Sequence, residues 1–210
     1  MKRLAVLASG RGSNLQALIE ADRRGELGAR IVLVVSSRRA APALERAAAA
    51  GIETDLVRLR DFAERTDWDR ALAARLRRAE AEIVACAGFG LILGPAVLEA
   101  FAGRILNVHP SLLPSFGGGL QAPADALAYG VKVSGCTVHL VDERLDAGPI
   151  VLQRAVEVRE DDDAESLAGR ILSEEHRALP EAVRLLAEGR LRVDGRRVRI
   201  LPVEVGINVR

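Results

Sequence analysis

The sequence predicts an α/β fold, a mostly parallel twisted sheet with helices on both faces. Three observations carry that expectation. Short apolar or β-branched runs alternate with longer Ala/Leu/Arg segments of helical period, the pattern of strand–helix–strand units around a parallel sheet. Glycines and small polar residues punctuate the joins, as turn and cap signals should. The chain has 210 residues, 49% hydrophobic and 28% charged, a composition suited to one ordinary globular domain.

The elements follow in order. Residues 4–8 form a first strand, ended by Ser9-Gly10. Ser13 is a suitable N-cap for a helix running to about residue 24, where Gly25 ends it. Strands follow at 31–35, 53–57, 83–87, 105–108, 135–140 and 150–156. Further helices are expected at 42–50, 68–79, 122–129 and 163–188. The last opens on Glu160-Asp161-Asp162-Asp163, where negative charge complements a helix N-terminus, a reading preferred to metal binding. No repeats occur, and the tail from Leu191 reads as a hairpin around Asp194-Gly195 with no chemistry of its own.

Bulk properties exclude several function classes. The net charge is +1, with no run of like charges to suggest a nucleic-acid arm or a membrane-surface helix. No apolar run approaches the roughly 20 residues that cross a bilayer, and Leu4 to Ala8 is too short for a signal-peptide core. Cys86 and Cys136 sit in apolar runs without metal-type spacing, as two buried thiols of a reducing compartment would. The expectation is a cytoplasmic protein that uses no metal.

Three motifs carry chemistry. The first, Ala8-Ser9-Gly10-Arg11-Gly12-Ser13-Asn14-Leu15, joins the first strand to the first helix. Its glycines let backbone N–H groups approach an anion at the positive end of the helix, and Ser13 and Asn14 add side-chain donors. Leu15 stands where a dinucleotide fingerprint needs glycine, and no Gly-Lys-Ser/Thr follows, so a monophosphate fits best. A turn with glycines for geometry alone is the bland alternative.

The second motif is Asn107-Val108-His109-Pro110-Ser111-Leu112-Leu113-Pro114. Residues 107 and 109 share one side of an extended chain, so an amide and an imidazole point together beyond the strand's carboxyl end. An amide N–H can donate to a developing oxyanion and an imidazole can move a proton, which suits acyl transfer. A lone histidine before proline is otherwise a structural residue. The third motif runs from Thr137 through His139 to Asp146-Ala147-Gly148-Pro149. Thr137 and His139 share a strand face and read as supporting residues. Asp146 is either a turn residue bonding its own backbone or a carboxylate within reach of His109, where it would orient the ring and favour its charged form.

Taken together these motifs resemble the glycinamide ribonucleotide formyltransferase family, folate-dependent enzymes of purine synthesis, in the single-domain form. The resemblance spans roughly residues 1–190 in the family's order and spacing. It implies a Rossmann-like formyltransferase fold over 1–190, with 191–210 a C-terminal hairpin and tail packed on the same domain. It implies transfer of the formyl group of 10-formyltetrahydrofolate, as co-substrate, to the amine of 5-phosphoribosylglycinamide. Carried over by position, Asn107, His109 and Asp146 are the catalytic trio. Gly12, Ser13, Asn14 and Glu175 hold the phosphoribosyl substrate, although read bare Glu175 is a solvated surface charge. Arg65, Gly90, Leu91, Leu93 and Val141 border the folate. The implied partners are these small molecules, with neither nucleic acid nor membrane, in a monomer or homodimer.

Two departures stand out. Gly90-Leu91 replaces the family's Met-Arg after Ala87-Gly88-Phe89, removing bulk and positive charge beside the folate. The loop after Pro114 reads Phe116-Gly117-Gly118-Gly119-Leu120-Gln121, one residue longer than usual, and its glycines suggest a flap that orders on substrate binding. Related enzymes share the Asn-x-His pair. The hydrolase of the same formyl-folate is expected to carry an added N-terminal regulatory domain, and the formyltransferase acting on methionyl-tRNA a C-terminal RNA-binding one. A nucleotide sensor using Ser37-Arg38 is the alternative from another class, and it leaves Asn107, His109 and Asp146 unexplained.

Overall fold

The computed structural model describes residues 1–119 and 121–202. Seven strands form one sheet in the order β3-β2-β1-β4-β5-β6-β7. Their ranges are β1 Lys2–Leu7, β2 Ala29–Ser36, β3 Glu53–Leu56, β4 Ile83–Cys86, β5 Ile105–His109, β6 Val133–Leu140 and β7 Ile150–Glu157. Pairs among β1 to β5 are parallel, whereas β5–β6 and β6–β7 are antiparallel. The sheet is thus mostly parallel, as the sequence predicts. Its order steps outward from β1 in both directions, so chain crossings diverge at the carboxyl ends of β1 and β4, where a crevice for ligand opens.

Helices cover both faces. Helices α1 (Ser13–Arg23), α2 (Pro42–Ala49) and α6 (Ala164–Ala187) pack on one face around Leu4, Val6, Leu15, Leu18 and Ile171. Helix α3 (Arg65–Arg78) and the short α4 (Pro95–Ala100) pack on the other around Ala5, Leu7, Trp68, Leu72 and Val97. Helix α5 (Ala122–Tyr129) lies beside the first cluster through Leu127. Successive β1 residues therefore enter opposite clusters, as the two-residue period of a strand requires. Removal of this apolar surface from water is the main stabilising term.

Local differences from the sequence reading have physical causes. Helix α3 begins at Arg65, three positions early, after a 3-10 turn at Leu59–Asp61 and a short connection that ends in the extended N-cap Glu64. Helix α4 was not predicted: its six residues are too few to show a period, and it is held by Asp69, whose carboxylate accepts from the N–H groups of Gly94 at 2.8 Å and Ala96 at 2.7 Å. Helix α6 starts one residue later than expected, because Asp163 is its N-cap in a reciprocal capping box with Ser166. In the same acidic stretch Asp162 pairs with Arg170, whose hydrogen bonds hold its carboxyl well below the usual range.

A separate two-stranded hairpin, β8 (Leu191–Asp194) and β9 (Arg197–Ile200), follows α6. The expected tail continues through residues 203–210, which lie outside the described residues. Cys86 and Cys136 are free and buried. They belong to clusters on opposite faces of the sheet, and burial pushes each thiol up to about 12. Among the described residues no helix is long and apolar enough to cross a membrane, and no group of three or more His, Cys, Asp or Glu could hold a metal ion.

Candidate active site

The glycine loop leaves β1 and enters α1 at the crevice. The expected Ser13 cap is not formed: Gly12 is the N-cap, in the left-handed region at φ 76, and no side chain caps the helix. A Cβ on Gly12 would lie 2.8 Å from the Ala43 Cα, so both conformation and close approach of α2 require glycine there. The first helical bond is Gln16 N–H to the Gly12 carbonyl at 2.9 Å. The N–H groups ahead of it remain available to an anion, where the helix dipole also favours negative charge. A concavity of about 290 Å³ opens beside Ser13, lined also by Gln16, Arg46 and His176.

Glu175 lies within this end of the crevice and corrects its bare reading as a surface charge. It is 6% exposed and accepts a 2.7 Å bond from Asn14 Nδ2. Burial raises its carboxyl above the usual range, against the pull of the Asn14 amide. Asn14 Oδ1 is buried without a partner. A desolvated carboxylate and an orphaned amide oxygen are costly unless a ligand's hydroxyls or amine complete them.

The remaining residues converge at the carboxyl end of β5. Asn107 stands opposite His139, and His109 opposite Thr137, across the antiparallel β5–β6 pair. The turn leaving β6 brings Asp146 back over both: its Oδ2 is 3.4 Å from His109 Nδ1, and its Oδ1 is 3.7 Å from His139 Nε2. Asn107 Nδ2 is 3.2 Å from His139 Nε2, while His139 Nδ1 donates to the Leu140 carbonyl at 2.9 Å. His139, the Gly118 N–H and His109 together hold the Asp146 carboxyl below its ordinary value, over the opposing effect of burial. The His109 Nε2 donates to the Phe116 carbonyl at 2.9 Å. Both ring nitrogens therefore face oxygen atoms, which fixes the plane of the ring.

Thr137 supports this geometry from beneath. Its hydroxyl donates to the Ser111 carbonyl at 2.7 Å and accepts from Leu113 N–H and Gln153 Nε2, both at 3.0 Å. The chain following His109 is thereby fixed to β6 and β7.

The residues predicted along the other wall lie in the loop after β4, at the start of α3 and, for Val141, immediately after β6. Leu93 belongs to the second apolar cluster, with Leu91, Phe89 and Val141 packed against it. Gly90 is exposed, and a Cβ there would meet nothing within 4 Å. Arg65 is exposed at the start of α3, donates to the Ile92 carbonyl and lies 5.5 Å from the Trp68 ring centroid. It braces the loop from outside. The same loop joins the glycine loop through Ser9 N–H to the Gly88 carbonyl at 3.1 Å, so the two walls are one connected surface.

Residues 2–183 match the formyl transferase family. The chain belongs to that family. It is 48% identical over 194 residues to phosphoribosylglycinamide formyltransferase of Mycobacterium tuberculosis, covering 92% of this chain and 89% of that protein. It is equally identical over 193 residues to the trifunctional purine biosynthetic protein adenosine-3 of Drosophila pseudoobscura, where the match covers 91% of this chain but only 14% of the relative. This formyl transferase also superposes on the crystal structure of glycinamide ribonucleotide transformylase 1 from Symbiobacterium toebii with a TM-score of 0.94 at 50% identity, covering 96% and 95% of the two chains.

Sequence reasoning missed the backbone groups of this formyl transferase that complete the cluster. The Phe116 carbonyl and the Gly118 N–H carry no side-chain signature. The loop containing them is docked on His109 and Asp146, with Phe116 edge-on to Tyr129 at 5.9 Å between ring centroids. Leu120 of that loop lies outside the described residues. Gln153 was also missed, although its two-residue alternation along β7 could have placed it on the Thr137 side. Ser37, the sensor reading's phosphate ligand, has its hydroxyl 2.8 Å from that of Ser9.

Proposed function

We propose that this chain transfers the formyl group of 10-formyltetrahydrofolate to the amine of 5-phosphoribosylglycinamide, giving the N-formyl product and tetrahydrofolate, in cytoplasmic de novo purine synthesis. The convergence of Asn107, His109 and Asp146 at the carboxyl end of β5, with Asp146 3.4 Å from His109 and His139 bridging Asp146 to Asn107, is the observation that carries this reading.

The phosphate sits on the N–H groups of Gly12, Ser13 and Asn14, and Glu175 takes the ribose hydroxyls. The amine then attacks the formyl carbon at the other end of the cleft. Charge develops on the formyl oxygen, where the Asn107 amide and the His109 imidazolium stabilise it in a partly desolvated site. Asp146 orients His109 and assists proton movement from the attacking amine toward the departing folate nitrogen. The pteridine lies against Leu91, Leu93 and Val141, with Arg65 bracing that wall and Gly90 leaving room beside it. His139 and Thr137 position the trio. Productive binding displaces the Phe116 and Gly118 backbone groups from His109 and Asp146, so the glycine-rich loop, expected from the sequence to order on binding, is instead docked beforehand and moves aside. Residues 1–190 constitute the catalytic domain and 191–210 an appended hairpin and tail. The ligands are small molecules, without nucleic acid or membrane, and the unit is a monomer or homodimer that needs no metal.

The test is formyl transfer measured with and without the amine acceptor. Acceptor-dependent formation of tetrahydrofolate is expected. Deformylation at the same rate without acceptor would make the protein a hydrolase, and folate-independent dinucleotide binding would make it a sensor.

A further inference from the structure

The turn that carries Asp146 is a tightly constrained piece of chain. Its base is closed by Leu140 N–H to the Pro149 carbonyl at 2.9 Å. A Cβ on Gly148 would lie 1.8 Å from the Leu140 oxygen, so no side chain fits there. Asp146 has φ 49, a left-handed conformation that aspartate adopts more readily than other residues with a Cβ but still at a cost relative to the right-handed region. On the cleft side its carboxylate accepts from Gly118 N–H at 2.8 Å, but that bond belongs to the loop that the proposed reaction displaces. A second restraint reaches the turn from outside the cleft.

That restraint is the C-terminal hairpin. Asp194 pairs with Arg197, so Gly195 and Arg196 form a two-residue turn at its tip. Leu191 and Val198 seat the hairpin on the first apolar cluster. Its ends are tied by Leu201 N–H to the Arg190 carbonyl and Arg190 Nε to the Leu201 carbonyl, both at 2.8 Å. From this seated base Arg196 Nη1 donates to the Ala147 carbonyl at 2.8 Å, across 49 positions of sequence. Ala147 immediately follows Asp146.

We propose that Arg196 is a positioning residue for Asp146, a latch by which the hairpin keeps the catalytic turn in place when the glycine loop leaves. The guanidinium suits this task because it is charged at every working pH and donates in a fixed planar geometry. It fixes the peptide plane after Asp146 and so limits the travel of the carboxylate away from His109. The hairpin thereby becomes part of the catalytic apparatus, although it contributes no group to the cleft.

The kinetic part of this proposal rests on the formyl-transfer reading, and its structural part does not. The experiment compares the full chain with Arg196→Ala and Arg196→Lys by amide hydrogen exchange over residues 142–148, by kcat and both KM values, and by Tm. In Arg196→Ala those amides exchange faster, and kcat falls about fivefold, the size of one lost hydrogen bond. KM for phosphoribosylglycinamide and Tm stay unchanged, and lysine, able to donate once to the same carbonyl, restores part of kcat. Unchanged exchange over 142–148 overturns the latch, and so does a lowered Tm with equal losses for both substrates. Faster exchange in Arg196→Ala with no formyl transfer by the parent leaves the latch standing and defeats the reaction assigned to it.

Discussion

The two ends of the cleft meet a ligand from opposite starting states. At the proposed phosphate end α1 begins without a side-chain cap, Asn14 Oδ1 is buried without a partner, and the Glu175 carboxyl is desolvated. At the proposed catalytic end His109 and Asp146 already bond the Phe116 carbonyl and the Gly118 N–H. A ligand at the first end adds bonds that are missing. At the second it replaces bonds the chain makes with itself. Binding free energy gained at the phosphate end is therefore available to displace the loop and align the reacting groups, the division of labour expected when remote contacts drive a catalytic step. Damage at the phosphate end should appear in KM, and damage at the catalytic end in kcat.

The largest expected effect short of removing His109 itself is Asp146→Asn, which keeps the shape but removes the charge facing both histidines. It lowers kcat by about 10² to 10³, with KM for the phosphoribosyl substrate within about twofold of the parent because no phosphate contact is touched. A proportionate rise in that KM would erase the distinction between the ends. Next is Gly12→Ala, whose methyl meets the Ala43 backbone and forces a left-handed residue out of place. Its KM for the acceptor rises about tenfold with kcat nearly unchanged, as steady-state kinetics with the acceptor varied will show.

Glu175→Gln sharpens the comparison by separating stability from binding. Because burial raises this carboxyl in the folded state, folding is favoured while it is protonated. That contribution is lost as pH rises through the raised value. Glutamine mimics the protonated form, so the variant melts above the parent at pH 7, and the difference closes as pH falls and the parent's carboxyl protonates, which thermal melts across pH will show. Its KM for the acceptor nonetheless worsens, since a weaker acceptor faces the ribose. The smallest effect is Tyr129→Ala. It removes the edge-on contact with Phe116 that helps hold the loop on His109, and raises kcat by about twofold, a gain that stopped-flow and steady-state rates can resolve.

The same contrast explains what the sequence made legible. The glycine loop lies within one contiguous segment, and its chemistry is backbone geometry at a strand-to-helix join, so Gly12, Ser13 and Asn14 could be singled out directly. The Asn107 and His109 pair was legible for the same reason, a two-residue spacing on one strand. The alternation of strands and helices gave the sheet and its two helical layers, while α4 escaped because its start is fixed by Asp69 from another helix. Bare residue chemistry gave Glu175 as a surface charge, since its burial depends on α6 packing beside α1, 161 positions from Asn14. The partners of His109 and Asp146 in the loop, and of Ala147 in the hairpin, are main-chain groups or distant side chains. Nothing in local sequence marks them.

The most direct test of the contrast is to measure phosphoribosylglycinamide binding by calorimetry and formyl transfer by initial rates on His109→Ala beside the parent. The expected result is an acceptor Kd within about twofold of the parent together with a loss of transfer of about 10³ or more. A comparable loss of acceptor affinity, or retention of transfer, would contradict the division between an end that binds and an end that reacts.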